Sequence, residues 1–191
     1  MHSAGQTQRA VALGRELRTT LGRWDQRLLR IVYPLPFQDL IERTARQQGV
    51  DPYLAAALIR QESAFNPRAT SVAGARGLMQ IMPRTGRTLA AQARKPRFQT
   101  ARLYEPAFNV ELGMIHLKAL LDEYGGRLPL VLSAYNAGAH RLVHWQNFPE
   151  SMDDELFSER IPFSETRDYV RIVQQNARIY RALYSQVNTD L

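Results

Sequence analysis

The 191-residue chain contains no cysteine. That excludes disulfides, iron–sulfur clusters, thiol catalysis and zinc sites built on Cys. The four histidines, His2, His116, His140 and His144, show no paired spacing with carboxylates, so neither a metal ligand set nor a cofactor is expected. No apolar run approaches the ~20 residues of a transmembrane helix. Lysine is nearly missing: Lys95 and Lys118 are the only two among 25 basic residues, the rest being arginine. Against 18 acidic residues this leaves a net charge of +7 and a pI near 10.1. Such a balance favours polyanions: nucleic acid, anionic lipid or an acidic cell-wall polymer. Charge alone does not choose among them, and the arginine bias is equally compatible with codon usage. No helix-turn-helix, zinc or RNA-recognition signature is present, so no nucleic-acid partner is expected.

What is there describes a globular chain. It is 45% hydrophobic by count and 23% charged, with a mean hydropathy of −0.36. Its length fits one domain with a small appendage. Residues 1–8 are polar and lack the basic start and apolar run of a secretory signal. The sequence therefore reads as cytoplasmic, or as a mature form or fragment of a longer precursor. Residues 8–32 carry two short helical patterns, Val11, Leu13, Leu17 and Leu21, then Trp24, Leu28, Leu29 and Val32. They look like the end of another helical layer, joined through Tyr33-Pro34-Leu35-Pro36. Two prolines in three residues make a stiff connector and a candidate boundary. The expected organisation is a helical extension over 1–35 and a main domain over 36–188.

From Phe37 onward the apolar spacing is helical. Phe37, Leu40, Ile41, Thr44, Ala45 and Gln48 form one stripe, stopped by Gly49. Asp51-Pro52 is an N-cap followed by proline at the first helical position, opening a helix that should end near Asn66-Pro67. Pro83 opens a short helix to about Arg94, and Pro106 a longer one ended by Gly125-Gly126. Helices over 128–137 and 139–146 are separated by Gly138, and a last helix spans about 164–185. A small strand pair is possible only in the loops 69–77 or 94–103. The predicted class is mostly α, with at most a minor β-hairpin.

Glu62 stands out. On its helix the same-face neighbours are Ala55, Leu58, Ile59 and Phe65. Burial without a cation raises a carboxyl pKa toward the value a general acid needs at neutral pH. The alternative is a carboxylate at the edge of the stripe, solvated or paired with Arg68. After it comes Ser71-Val72-Ala73-Gly74-Ala75-Arg76-Gly77-Leu78-Met79-Gln80-Ile81-Met82-Pro83, whose small residues let backbone approach a ligand. Gln80 offers an amide suited to sugar hydroxyls and N-acetyl groups. Met79 reads as core and Met82 as a ligand contact. Arg76 stays open between a solvated charge and a contact to a substrate carboxylate. Tyr135-Asn136 places a phenol and an amide at a helix end. Glu165 sits in the first turn of the last helix, where the dipole favours its ionised form.

Four segments together resemble the catalytic domain of the soluble lytic transglycosylases, the lysozyme-like SLT family of Gram-negative bacteria. They are Arg60-Gln61-Glu62-Ser63-Ala64-Phe65-Asn66-Pro67, Gly77-Leu78-Met79-Gln80-Ile81-Met82-Pro83, Ser133-Ala134-Tyr135-Asn136-Ala137-Gly138 and residues 161–169. The resemblance implies a goose-type, lysozyme-like helical fold and a peptidoglycan glycan strand as substrate. It implies cleavage between N-acetylmuramic acid and N-acetylglucosamine without water, leaving 1,6-anhydromuramic ends. Glu62 would be the catalytic acid and then base. Ser71, Gln80, Met82, Tyr135, Asn136 and Glu165 would be the substrate-binding set, with Asn136 bracing the site more than touching sugar. Glu165 would orient the muramyl unit or a buried polar network. The implied setting is a monomer in the periplasm, with no transmembrane segment. A lysozyme-type hydrolase or an inactive glycan-binding module on the same fold are the competing expectations.

Overall fold

The structure is a computed structural model that describes Ala12 and residues 26–95 and 97–185. Nine α-helices follow in order among these residues. They are α1 (Gln26–Val32), α2 (Gln38–Gln48), α3 (Pro52–Ser63), α4 (Pro83–Gln92), α5 (Pro106–Glu123), α6 (Leu128–Ala137), α7 (Ala139–Trp145), α8 (Asp154–Arg160) and α9 (Ser164–Tyr184). Short 3-10 turns occupy Thr100–Tyr104 and Pro149–Met152. The helical pattern expected over the first part of 8–32 lies outside the described residues; its second part is α1.

The helix ends follow local chemistry. Gly49 ends α2 in the left-handed region at φ 66°. The Asp51 side chain accepts a hydrogen bond from the Tyr53 amide at 3.0 Å, and Pro52 takes the first position of α3. Asp153 caps α8 by accepting from the amides of Glu155 and Leu156. That helix was absent from the sequence reading: in seven residues it buries only Phe157.

The core forms around α3, α5, α6 and α9. Leu54, Ala55, Ala56, Ala57, Leu58 and Ile59 of α3 are all buried. The three consecutive alanines let α9 pack closely along this helix, the most extensive helix pairing in the fold. Burying Leu58 and Ile59 stabilises by roughly 2 kcal/mol each. α5 buries Phe108, Val110, Leu112, Met114, Leu117 and Leu120, more than one face, and so runs through the interior. The Pro34–Pro36 connector is firmly held. Tyr180 donates to the Pro34 carbonyl at 3.0 Å, Tyr184 to that of Tyr33 at 2.8 Å, and the Arg30 guanidinium to that of Leu183 at 2.9 Å.

Among the described residues there is no β-sheet. Two antiparallel bridges, Thr70 with Arg76 and Arg76 with Ile81, mark the loop where a hairpin was possible. The 94–103 stretch runs instead into the 3-10 turn at Thr100. No described helix is long and apolar enough to cross a membrane.

Candidate active site

Glu62 lies in the last turn of α3, and the same-face residues Ala55, Leu58, Ile59 and Phe65 are buried. Burial pushes its carboxyl up to about 7; the hydroxyl of Tyr169, donating to Oε1 at 2.6 Å, pulls the other way. No cation among the described residues offsets the burial. Arg68 is exposed and its side chain forms no ion pair, so the alternative of a Glu62–Arg68 pair is not realised. Burial, and then the Glu62 charge, hold the Tyr169 hydroxyl well above the usual phenol range, so it remains a donor. Tyr135 is shifted the same way by burial and then by Glu62, which places both phenols in the electrostatic reach of one carboxyl.

The backbone turns abruptly after Glu62. Ala64 (φ 48°) and Phe65 (φ 61°) are both left-handed, as is Gln80 (φ 48°). Such conformations in residues other than glycine cost free energy and persist where surrounding contacts over-determine them. Those contacts are visible in the 77–80 loop. Ser63 Oγ, from α3, donates to the Leu78 carbonyl at 2.8 Å. Asn109, fully buried on α5, accepts from the Met79 amide at 2.7 Å and donates to the carbonyls of Arg76 and Leu103, both at 2.8 Å. Tyr135, from α6, donates to the Met79 carbonyl at 2.9 Å. The Tyr135 ring is backed by His116, whose ring centre lies 5.2 Å away and whose burial keeps it toward the neutral form.

The remaining candidates occupy distinct places. Gln80 Nε2 donates to the carbonyls of Ala69 (3.2 Å) and Gly77 (2.9 Å), leaving its Oε1 without a partner among the described residues. Ser71 is exposed, with its hydroxyl oxygen accepting from the Ala75 amide. Met82 precedes α4 and is 41% exposed, whereas Met79 is buried. Asn136 accepts from Thr166 Oγ1 at 2.7 Å, joining the end of α6 to the start of α9. Glu165 is exposed; the buried polar contact at this helix start is made by Thr166, one residue on.

Sequence reasoning missed Tyr169 and Asn109. In the sequence Tyr169 carries no distinguishing pattern of its own beyond ending the fourth matching segment. Its signal was its place six residues after Phe163, inside the fourth matching segment. Tyr169→Phe removes the one hydrogen bond that favours ionised Glu62. The Glu62 carboxyl should therefore titrate at higher pH than in the wild type, and the basic limb of any Glu62-dependent pH–rate profile should shift to alkaline pH. An unmoved limb would show that this hydroxyl does not tune Glu62.

A family model described as "Transglycosylase SLT domain" matches residues 39–158. The soluble lytic murein transglycosylase of Salmonella typhimurium is 37% identical over 165 residues, 85% of this chain and 25% of that protein. The one from Escherichia coli K12 is 36% identical over 160 residues, 83% of this chain and 24% of that protein. This chain thus spans about a quarter of the length of the curated relatives it matches. Among solved structures, an inactive mutant of the lytic transglycosylase Slt from Pseudomonas aeruginosa superimposes with a TM-score of 0.79 at 29% identity, covering 95% of this chain and 31% of that one. The 70-kDa soluble lytic transglycosylase of Escherichia coli gives a TM-score of 0.77 at 30% identity, over 95% and 31% of the two chains. With well over half of its length matched by the family model and its helical arrangement shared with these enzymes, the chain belongs to the transglycosylase SLT domain family and has its lysozyme-like fold.

Proposed function

We propose that this chain is a peptidoglycan lytic transglycosylase with Glu62 as its single acid and base, acting on the periplasmic cell wall of a Gram-negative bacterium. The observation that carries the reading is the Glu62 carboxyl: half-buried beside an apolar stripe, without a cation partner among the described residues, pushed up to about 7 and held by Tyr169. A carboxyl in that state is substantially protonated at neutral pH and can also work as the conjugate base. The relatives named as lytic transglycosylases support the choice of reaction. So does the inactive form of the Pseudomonas enzyme, a glutamate-to-glutamine mutant.

In the first step Glu62 donates its proton to the glycosidic oxygen between N-acetylmuramic acid and N-acetylglucosamine, and the C1–O bond breaks. The substrate's N-acetyl carbonyl, or a stabilised oxocarbenium ion, carries the positive charge at C1. Ionised Glu62 then takes the proton from the C6 hydroxyl, and O6 bonds to C1 to close the 1,6-anhydro ring. Ordinary glycosidases need a second carboxyl as base or nucleophile. In the sequence the next acidic residue after Glu62 is Glu105, and it pairs with Arg102. Gln80, Met82, Ser71 and Tyr135 would contact the sugars, with Asn136 bracing the floor and Glu165 at the rim.

The deciding experiment is mass spectrometry of the glycan products after incubation with purified sacculi. Anhydromuramic ends are the expected result. Reducing ends carrying one added water would make the chain a hydrolase.

A further inference from the structure

Two hydroxyl groups on one face of α9 reach into the ends of two other helices. Tyr169 donates to Glu62, in the last turn of α3. Thr166, three residues earlier, donates through Oγ1 to Asn136 Oδ1 at 2.7 Å, in the last turn of α6. Residues three apart on a helix are neighbours, with about 5–6 Å between their Cβ atoms. Asn136 also follows Tyr135, whose phenol feels the Glu62 charge as that of Tyr169 does. The Thr166–Asn136 bond is thus one residue from the first phenol and one turn from the second, inside the cluster that surrounds Glu62.

This bond decides which way the Asn136 amide points. A side-chain amide has an accepting end and a donating end of nearly equal size. Thr166 is only 2% exposed, and its hydroxyl proton has no other acceptor among the described residues. A flipped amide would set N–H2 against that hydroxyl and leave a buried O–H donor unpaired, which is unfavourable. The oxygen therefore stays on Thr166, and both N–H donors are turned away from it.

Those donors are free. Asn136 Nδ2 has no hydrogen-bond partner among the described residues, and it is not one of the sealed unpaired atoms, which are Arg76 Nε, Ser133 Oγ and Glu150 Oε2. It is open to solvent at the edge of a half-buried side chain.

We propose that Thr166 is a positioning residue: its hydroxyl locks the Asn136 amide with the N–H2 group turned toward the bound glycan, where it donates to a neutral oxygen of the strand. This rests on the reading of the chain as a peptidoglycan-cleaving enzyme. The class of acceptor follows from the donor. An uncharged N–H2 group is matched by an uncharged hydroxyl or carbonyl oxygen, and a glycan strand carries these on every unit.

The test is steady-state kinetics on a soluble glycan strand with two substitutions that divide the threonine. Thr166→Val removes the hydroxyl and keeps the branched shape; Thr166→Ser keeps the hydroxyl and loses the methyl. Thr166→Val should lower kcat/KM about fivefold, the worth of one neutral hydrogen bond, chiefly through KM. Thr166→Ser should recover most of that loss. A role in packing alone predicts the reverse order, because the buried methyl is then what matters. Asn136→Ala should lose at least as much as Thr166→Val, and combining the two should cost nothing further. The basic limb of the Thr166→Val pH–rate profile should stay at the wild-type pH, since Tyr169 still holds Glu62. Losses that add in the double variant, a Ser variant as impaired as the Val variant, a shifted limb, or a Val variant equal to the wild type would each overturn the positioning role. Wild-type protein that cleaves no strand overturns the enzymatic reading instead, which keeps the two failures apart. Because Thr166 is buried, the kinetics are measured below the lowest unfolding midpoint of the set.

Discussion

Glu62→Gln is expected to lose lytic activity by about a thousandfold or more, in a protein that is more stable than the wild type above pH 7. The loss follows from removing the one group that donates and then accepts the proton, a contribution of about 10² to 10⁴ for general acid–base catalysis in a single step. The gain follows from linkage. The ordinary glutamate value is 4.5 and the folded-state value is about 7. Between those limits the folded chain holds a proton that the unfolded chain releases, so stability falls as the pH rises through the window. The fall is complete above pH 7 and is of the order of 3 kcal/mol for such a shift. Glutamine carries no such cost and can still accept the Tyr169 hydrogen bond. Urea unfolding at pH 4 and pH 8 should give nearly equal stabilities for the two proteins at the lower pH. At pH 8 the variant should lead by about 3 kcal/mol. A variant with near wild-type turnover removes Glu62 from the mechanism. Equal stability at pH 8 would mean that the wild-type carboxyl is not strained by burial.

Gly77→Ala should be the most damaging small substitution in the 77–80 loop. Gly77 has φ +78°, and a Cβ there would stand 2.1 Å from the Leu103 carbonyl oxygen and 2.4 Å from Asn109 Nδ2. Neither neighbour can yield cheaply. One is backbone; the other is the buried amide that holds Met79. Overpacking and the left-handed backbone together should cost about 3 kcal/mol and lower Tm by roughly 10 °C. Activity measured well below that lowered Tm should fall as well, because displacing Asn109 releases the peptide next to Gln80. Gly74→Ala is the comparison: it shares the positive φ (+89°) but has nothing within 4 Å of the added carbon. It should cost about 1 kcal/mol, the backbone part alone. Equal losses at the two glycines would show that contact with Asn109 is unimportant.

The helical frame was legible in the sequence because its signals are local. Pro52, Pro83 and Pro106 each stand at the start of a helix, and Gly49 and Gly138 each at an end. The unusual state of Glu62 was legible too, since a carboxylate among Leu58, Ile59 and Phe65 breaks the period of its own helix. What stayed hidden depends on contacts distant in sequence. Tyr169 reaches Glu62 across 107 residues, and Asn109 reaches Met79 across 30. Within α5 and α9 these two polar groups are indistinguishable from ordinary members of a stripe. At the start of α9 one residue turns a helical side chain by about 100°, so Thr166 faces Asn136 while Glu165 points to solvent, a difference the sequence pattern does not display. The short α8 escaped because its acidic first turn and single buried Phe157 resemble a polar loop.

The 77–80 loop has no sheet beneath it, and its peptide groups are anchored by side chains from α3, α5 and α6. Each anchor is planted in the hydrophobic interior, so none can let go without disturbing a different helix. Local breathing, the usual route by which surface loops exchange their amide protons, is closed to this segment. The wall that would face the sugar thus belongs to the same cooperative unit as the core and should be lost only when the whole molecule unfolds.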